Sequence, residues 1–159
     1  MTTRKQILKQ VKESHIGSAI SIQYKREILH QKPMKLALEV YEWVRPQWNE
    51  ELINLQEQFM ALYFNNANQL ISYRLISTGN MKGVVVDVRL IVSLALHTMA
   101  SKVILVHNHP SGKLEASEQD IKITNQVRGA LELIDVQLLD HLIITEDCYL
   151  SMQAHGLIN

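Results

Sequence analysis

Residues 103–120, VILVHNHPSGKLEASEQD, restrict the fold more than any other stretch, because they join an apolar strand to a helix start through one short turn. The strand-like run VILV leads into His107 and His109. Pro110 favours an extended backbone at the preceding residue, and Gly112 allows the chain to reverse afterwards. The segment therefore places polar side chains on both sides of a tight turn.

The spacing of the two histidines allows them to bind one ion. In an extended strand, residues i and i+2 point to the same side, with Cα atoms roughly 6.6 Å apart at about 3.3 Å per residue. His107 and His109 can therefore converge on Zn²⁺, which binds imidazole nitrogen at about 2.0–2.1 Å. Asp120 can add a carboxylate oxygen from the first turn of the next helix. Three protein ligands leave one position on zinc open, as catalytic sites require.

Each part of this pattern also has a purely structural interpretation. A strand end can present two surface histidines without a metal, so the His-x-His spacing alone is a weak signal. Residues 117–120, SEQD, are also a good helix start, since Ser117 can cap the helix and an acid at the third position favours its dipole. The two roles are compatible, because a capped helix would hold Asp120 rigidly.

The remaining segments predict a single α/β domain in which a mixed β-sheet packs against helices. The body over residues 50–159 is predicted to contain a hairpin, a largely buried helix, a buried strand, a second helix and two further strands, over residues 57–77, 88–100, 102–106, 117–133, 136–145 and 148–152.

An N-terminal segment over residues 1–49 is predicted to pack on this body. Its elements are a helix near Ile7 and Val11, a strand over residues 18–25 and a helix over residues 34–44. The last helix would place Leu36, Val40 and Trp43 on one face and be interrupted by Pro46.

Charge is distributed unevenly, although the formal net charge is zero. Residues 1–35 carry eight Lys or Arg against two acids, and the remainder carries eight against fourteen. A basic arm can bind nucleic acid through its phosphates, so a weak association with DNA is one interpretation. A solvated basic face, or an arm paired with the acidic body, explains the same pattern and is the favoured one.

Composition indicates where such a chain would work. No stretch approaches the roughly 20 apolar residues of a membrane span, and the N-terminus lacks the apolar block of a secretion signal. The lone Cys148 cannot form an internal disulfide. We therefore expect a cytoplasmic protein with no membrane partner.

The combined motif is far more specific than its parts. His-x-His, seven intervening residues and Ser-x-x-Asp resemble the motif of the JAMM/MPN zinc metalloproteases at all four positions. HNHPSG before this Ser-x-x-Asp, and DHLIIT at residues 140–145, are similar to the RadC branch of that superfamily. The resemblance begins at about Gln56 and runs to the C-terminus.

RadC proteins usually begin with a helix-hairpin-helix region, whose glycine hairpins we do not find in residues 1–50. We therefore expect a short form with a different N-terminus.

The resemblance implies one Zn²⁺ per chain, bound by His107, His109 and Asp120 in a JAMM/MPN-like domain. For Ser117 it implies a hydrogen bond to the zinc site or to the oxyanion of a tetrahedral intermediate, where a fixed donor lowers the barrier.

The resemblance also implies a catalytic glutamate on a strand upstream of the histidines, and Glu57 occupies the matching place. A carboxylate is a natural general base for the attacking water. From the residues alone, Glu57 can equally be a solvated acid at a strand end, and Glu50 and Glu51 are competing candidates.

The leading hypothesis is therefore a zinc-dependent hydrolase acting on a peptide or isopeptide-linked protein substrate. A second hypothesis is a non-enzymatic, zinc-stabilised binding module in DNA repair or mobile-element biology, consistent with the family's DNA-repair label. A metal-dependent nuclease is a third and less favoured one, since a two-metal clamp is more typical of that chemistry.

His141 is interpreted as a core histidine in preference to a residue that supports the metal site.

Overall fold

The computed structural model describes residues 28–79 and 85–158. Helix α1 spans Ala37–Val44, and a 3-10 turn at Arg45–Gln47 follows it. The remaining elements in chain order are strand β1 at Gln58–Phe64, β2 at Leu70–Thr78, helix α2 at Val88–Thr98, β3 at Lys102–Asn108, helix α3 at Glu118–Glu132, β4 at Gln137–Ile144 and β5 at Tyr149–Ser151. The helix predicted near Ile7 and the strand predicted at residues 18–25 lie outside the described residues, so the division at residue 49 stays a prediction.

The described strands form one mixed sheet in the order β2-β1-β3-β4-β5. Strand β1 pairs antiparallel with both β2 and β3, β3 and β4 run parallel, and β5 returns antiparallel to β4. The predicted hairpin, the strands at 102–106 and 136–145, and the final pairing strand are therefore confirmed. The parallel pair arises because α3 carries the chain from the end of β3 back to the start of β4.

Alternation along the strands divides the core between the two faces of the sheet. On one face, Met60 and Leu62 of β1 pack in the same cluster as Val40 of α1. On the other face, Phe59 and Ala61 pack in a cluster that includes residues of α2 and α3. This layering follows from the period of two in an extended strand, and it confirms the predicted α/β class.

The predicted apolar face of the helix at residues 34–44 is partly wrong. Val40 and Val44 are buried, but Leu36 is 64% exposed, because it lies at the N-cap position, before the first helical turn. Pro46 does interrupt the α-helix, and the chain continues as the 3-10 turn.

Helix α2 is less buried than its apolar sequence predicts. Ile91 and Ala95 are buried against the sheet, whereas Leu90 and Leu96 are exposed. One face of α2 packs on the sheet, so its other apolar side chains lie at the surface. No helix in residues 28–79 and 85–158 combines the length and apolar character that crossing a membrane requires.

Candidate metal site

The histidines and Asp120 meet where β3 ends and α3 begins. His109 continues beside β4, since its N–H donates to the carbonyl of Ile144 at 3.0 Å. A turn follows in which the N–H of Gly112 donates to the carbonyl of His109 at 3.0 Å. Gly112 has a φ of 74°, a left-handed value that glycine adopts without strain. The chain thereby reverses and brings the start of α3 to the end of the strand.

Three ligand atoms converge at this point. Nε2 of His107 lies 3.0 Å from Nε2 of His109 and 3.1 Å from Oδ1 of Asp120. Nε2 of His109 lies 3.5 Å from Oδ2 of Asp120. His107 and Asp120 are buried and His109 is partly buried. The three residues form a group that can hold a metal ion, with their ligand atoms within 4.8 Å of one another.

Each imidazole is also contacted on the side away from Asp120. Nδ1 of His109 is 2.8 Å from the carbonyl oxygen of Lys113, a contact in which Nδ1 must carry the proton. Nδ1 of His107 is 2.8 Å from Nε2 of His141. The fully buried His141 is therefore a core histidine that directly contacts the site. Burial lowers the pKa of His141.

The carboxylate of Asp120 is held in its ionised form. Its Oδ2 accepts hydrogen bonds from the backbone N–H of Ser117 at 2.7 Å and from the Ser117 hydroxyl at 2.6 Å. Burial alone would raise the pKa of Asp120, but hydrogen bonds from His107, His109 and Ser117 outweigh it and hold the pKa well below its usual range. Conversely, the hydrogen bond with Asp120 raises the pKa of His109.

The predicted helix cap coexists with this arrangement. The N–H of Asp120 donates to Oγ of Ser117 at 3.1 Å, which completes a capping box at the start of α3. The hydroxyl proton of Ser117 points to Asp120, so Ser117 contacts the site through a candidate ligand. Its role toward an oxyanion stays a prediction.

Strand β1 brings Glu57 to the same edge of the sheet. Phe59 pairs with His107 in the antiparallel register. Glu57, two positions before Phe59, therefore lies on the side of His109, two positions after His107. Glu57 is half-buried. Burial raises the pKa of Glu57, and the charges of His107, Asp120 and His109 act on it in opposing directions. These influences, together with the pairing of β1 with β3, put Glu57 at the same end of the strands as the candidate ligands.

The competing acids lie in a different environment. Glu50 and Glu51 are exposed, and a carboxylate oxygen of Glu50 lies 4.0 Å from the guanidinium of Arg45. These positions favour Glu57 as the acid that accompanies the ligands.

Asn108, which sequence reasoning did not select, connects the histidines to the segment that carries Glu57. Its Oδ1 accepts the N–H of Gln58 at 2.7 Å, and its Nδ2 donates to the carbonyls of Ile53 and Gln56 at 2.7 and 2.9 Å. The backbone is thus held on both sides of Glu57. The signal in the sequence is the position of Asn108 between two histidines, because strand alternation turns it to the opposite face.

Comparison with known proteins identifies relatives of this chain. A family model described as the RadC-like JAB domain matches residues 34–157. A UPF0758 protein of Flavobacterium johnsoniae is 46% identical over 101 residues, which cover 64% of this chain and 44% of the relative. A UPF0758 protein of Legionella pneumophila is 33% identical over 152 residues, which cover 94% of this chain and 66% of the relative. The UPF0758 protein YfjY of Escherichia coli K12 is 41% identical over 103 residues, covering 65% and 64%. The chain thus spans about half to two thirds of the length of these relatives.

Replacing Asn108 by Ala should lower the free energy of unfolding by about 1–3 kcal/mol, because buried backbone groups beside Glu57 lose their partner. Urea denaturation followed by circular dichroism measures the change. Asn54→Ala is the matched control: it removes an exposed amide that donates to Glu146 at 2.8 Å and should change stability by at most about 0.5 kcal/mol. Equal losses in the two variants would contradict the role assigned to Asn108.

Proposed function

This chain belongs to the RadC-like JAB domain family, and on that premise we propose that it is a zinc-dependent hydrolase of peptide or isopeptide bonds. The observation that carries the proposal is the convergence of two imidazole Nε2 atoms and a buried carboxylate at one edge of the sheet. The half-buried Glu57 beside them adds a group that can accept a proton.

The ligand set and its spacing support zinc as the metal. Catalytic zinc sites commonly combine histidines and a carboxylate from the protein and keep one position open. Two atoms bound at about 2.0–2.1 Å in tetrahedral geometry lie about 3.3 Å apart. The separations of 3.0, 3.1 and 3.5 Å among His107, His109 and Asp120 are close to that value. The residues present therefore fit the ion.

When bound, the ion would supply Lewis-acid chemistry, by acidifying a water molecule and polarising the scissile carbonyl. Glu57 is proposed to take a proton from the attacking water and to pass it to the leaving amine. Its burial-raised pKa suits this role, because a general base works best when its pKa approaches the working pH.

Ser117 is proposed to assist in one of two ways. Its hydroxyl donates to Asp120, which keeps the carboxylate ionised and in place. A contribution to oxyanion stabilisation would require the same hydroxyl proton to leave Asp120 and turn to the substrate. The two roles therefore compete for one donor.

Tag-free protein should contain about one zinc per chain, and Asp120→Asn should lose it, because an amide replaces the anionic ligand. Elemental analysis measures the content. Glu118→Gln, a change at an exposed acid in the same helical turn, should retain the metal. Absence of zinc from the parent protein even after reconstitution would remove the proposed site.

Replacing Glu57 by Gln should lower the hydrolysis rate by about 10²- to 10⁴-fold while zinc stays bound, since the amide cannot accept the proton. The assay uses fluorogenic peptides and peptides joined through a lysine side-chain amine. Glu51→Gln, at an exposed neighbouring acid, should keep full activity. Unchanged turnover in Glu57→Gln would exclude Glu57 as the base.

The basic composition of residues 1–35 supports a second candidate, a non-enzymatic, zinc-stabilised binding module in DNA repair or mobile-element biology. Its affinity for double-stranded DNA should fall steeply with salt, because each phosphate contact contributes a slope of about −0.9 to the dependence of log K on log salt. Fluorescence anisotropy with the full chain measures this slope. No association at low salt would exclude this candidate and leave the hydrolase proposal unaffected.

A further inference from the structure

His141 lies behind the candidate ligand His107, on the neighbouring parallel strand. Leu105 is opposite His141 in the register of β3 and β4. Leu105 packs with residues of α2 and α3, and side chains alternate along each strand, so His107 shares that face. His141 reaches it too, because its Nε2 lies 2.8 Å from Nδ1 of His107. Both rings are fully buried.

A second contact extends from the other side of His141 into helix α3. Nδ1 of His141 lies 2.6 Å from Oγ1 of Thr124. The Thr124 hydroxyl in turn donates to the backbone carbonyl of Asp120 at 2.5 Å. The contacts therefore start at one candidate ligand and end on the backbone of another.

The proton count gives each contact a direction. If Nε2 of His107 binds a metal, its neutral ring must carry the proton on Nδ1, which then donates to Nε2 of His141. His141 must then carry its own proton on Nδ1 and donate to Thr124, whose hydroxyl is already donated to the Asp120 carbonyl. Each group has one proton and one acceptor to match it. The order of donors requires the proton of His107 on Nδ1, and in a neutral ring this leaves the lone pair of Nε2 available to a metal.

The chain of contacts explains more than the packing of a core histidine. A histidine that only fills the core needs hydrogen-bond partners for its two ring nitrogens, and any polar groups can supply them. Here Nε2 of His141 contacts the candidate ligand His107. Its Nδ1 contacts the Thr124 hydroxyl, which donates to the backbone carbonyl of Asp120, a second candidate ligand. Removing either member would release His107 from its orientation, or loosen the link between β4 and the first turns of α3.

We infer that His141 and Thr124 are positioning residues that hold Nε2 of His107 toward the metal and thereby strengthen metal binding. The inference rests on the proposed function, because it requires a metal at this site. His141 and Thr124 act on that metal through His107 and Asp120. Partners that orient a metal-binding histidine typically contribute about 10- to 100-fold in metal affinity.

Four variants separate orientation from packing. His141→Phe keeps the volume of a ring but has no acceptor for Nδ1 of His107, whereas His141→Gln keeps an acceptor on a side chain of similar reach. Thr124→Val is nearly isosteric and removes only the hydroxyl. Tyr63→Phe is the matched control, because it removes a different buried hydroxyl, one that donates to the Ile91 carbonyl at 3.4 Å.

The measurement is the Zn²⁺ dissociation constant, obtained by competition with a chromophoric chelator on the full chain. The visible spectrum of the Co²⁺-loaded protein supplies a readout of ligand geometry that needs no turnover. We expect His141→Phe and Thr124→Val to weaken Zn²⁺ binding by about 10- to 100-fold and to alter the Co²⁺ spectrum. His141→Gln should lose less, and Tyr63→Phe should bind as the parent does.

Failure of this inference differs from failure of the proposed function. Tight Zn²⁺ binding by the parent and by both His141→Phe and Thr124→Val would overturn the positioning role and leave the zinc site standing. Lower unfolding stability in Thr124→Val with an unchanged dissociation constant would assign a structural role only. A parent protein that binds no Zn²⁺ would overturn both proposals.

Discussion

The buried carboxylate of Asp120 is the charge on which the site depends. An ionised group removed from water is costly unless it is paired and hydrogen-bonded. Ser117 supplies two donors from the same helical turn, and the imidazoles of His107 and His109 supply the remaining contacts. The end of β3 and the start of α3 must therefore keep a fixed position relative to each other. The helix cap and the ligand group are one structure, which is why the two interpretations of Ser-x-x-Asp do not exclude each other.

The tripeptide His107-Asn108-His109 serves both faces of the sheet edge. Its histidines face Asp120, while the amide of Asn108 turns the opposite way and holds the backbone around Glu57. A single strand end thus fixes both the candidate ligands and the candidate base. A shift of one residue along β3 would exchange the two sets of side chains and destroy both arrangements.

Local patterns predict much of this molecule. Strand alternation, the His-x-His spacing and the capping signal at Ser117 are short-range features. They predict β3, α3 and the meeting of His107, His109 and Asp120, and the structure brings these three residues together in one group that can hold a metal ion. The choice of Glu57 over Glu50 and Glu51 needed the resemblance, because no local pattern shows which acid β1 carries to the end of β3. The exposure of Leu36 was missed because periodicity alone does not show where a helix begins.

Long-range contacts explain why Asn108, His141 and Thr124 were not assigned to the site from the sequence. Thr124 and His141 are 17 residues apart, and His107 and His141 are 34 apart. Their meeting depends on the parallel register of β3 and β4, which the sequence does not state. Asn108 depends likewise on the pairing of β3 with β1.

The path of the chain through the site has a consequence for the order of assembly. The candidate ligands all lie within residues 107–120, so a short loop brings them together, and short loops cost little entropy to close. Gln58 reaches Asn108 across 50 residues, and His141 reaches His107 across 34. Contacts between distant residues form more slowly. The part of the site that holds the candidate ligands can therefore close early in folding, whereas the contacts of Asn108 and His141 wait until the sheet is complete.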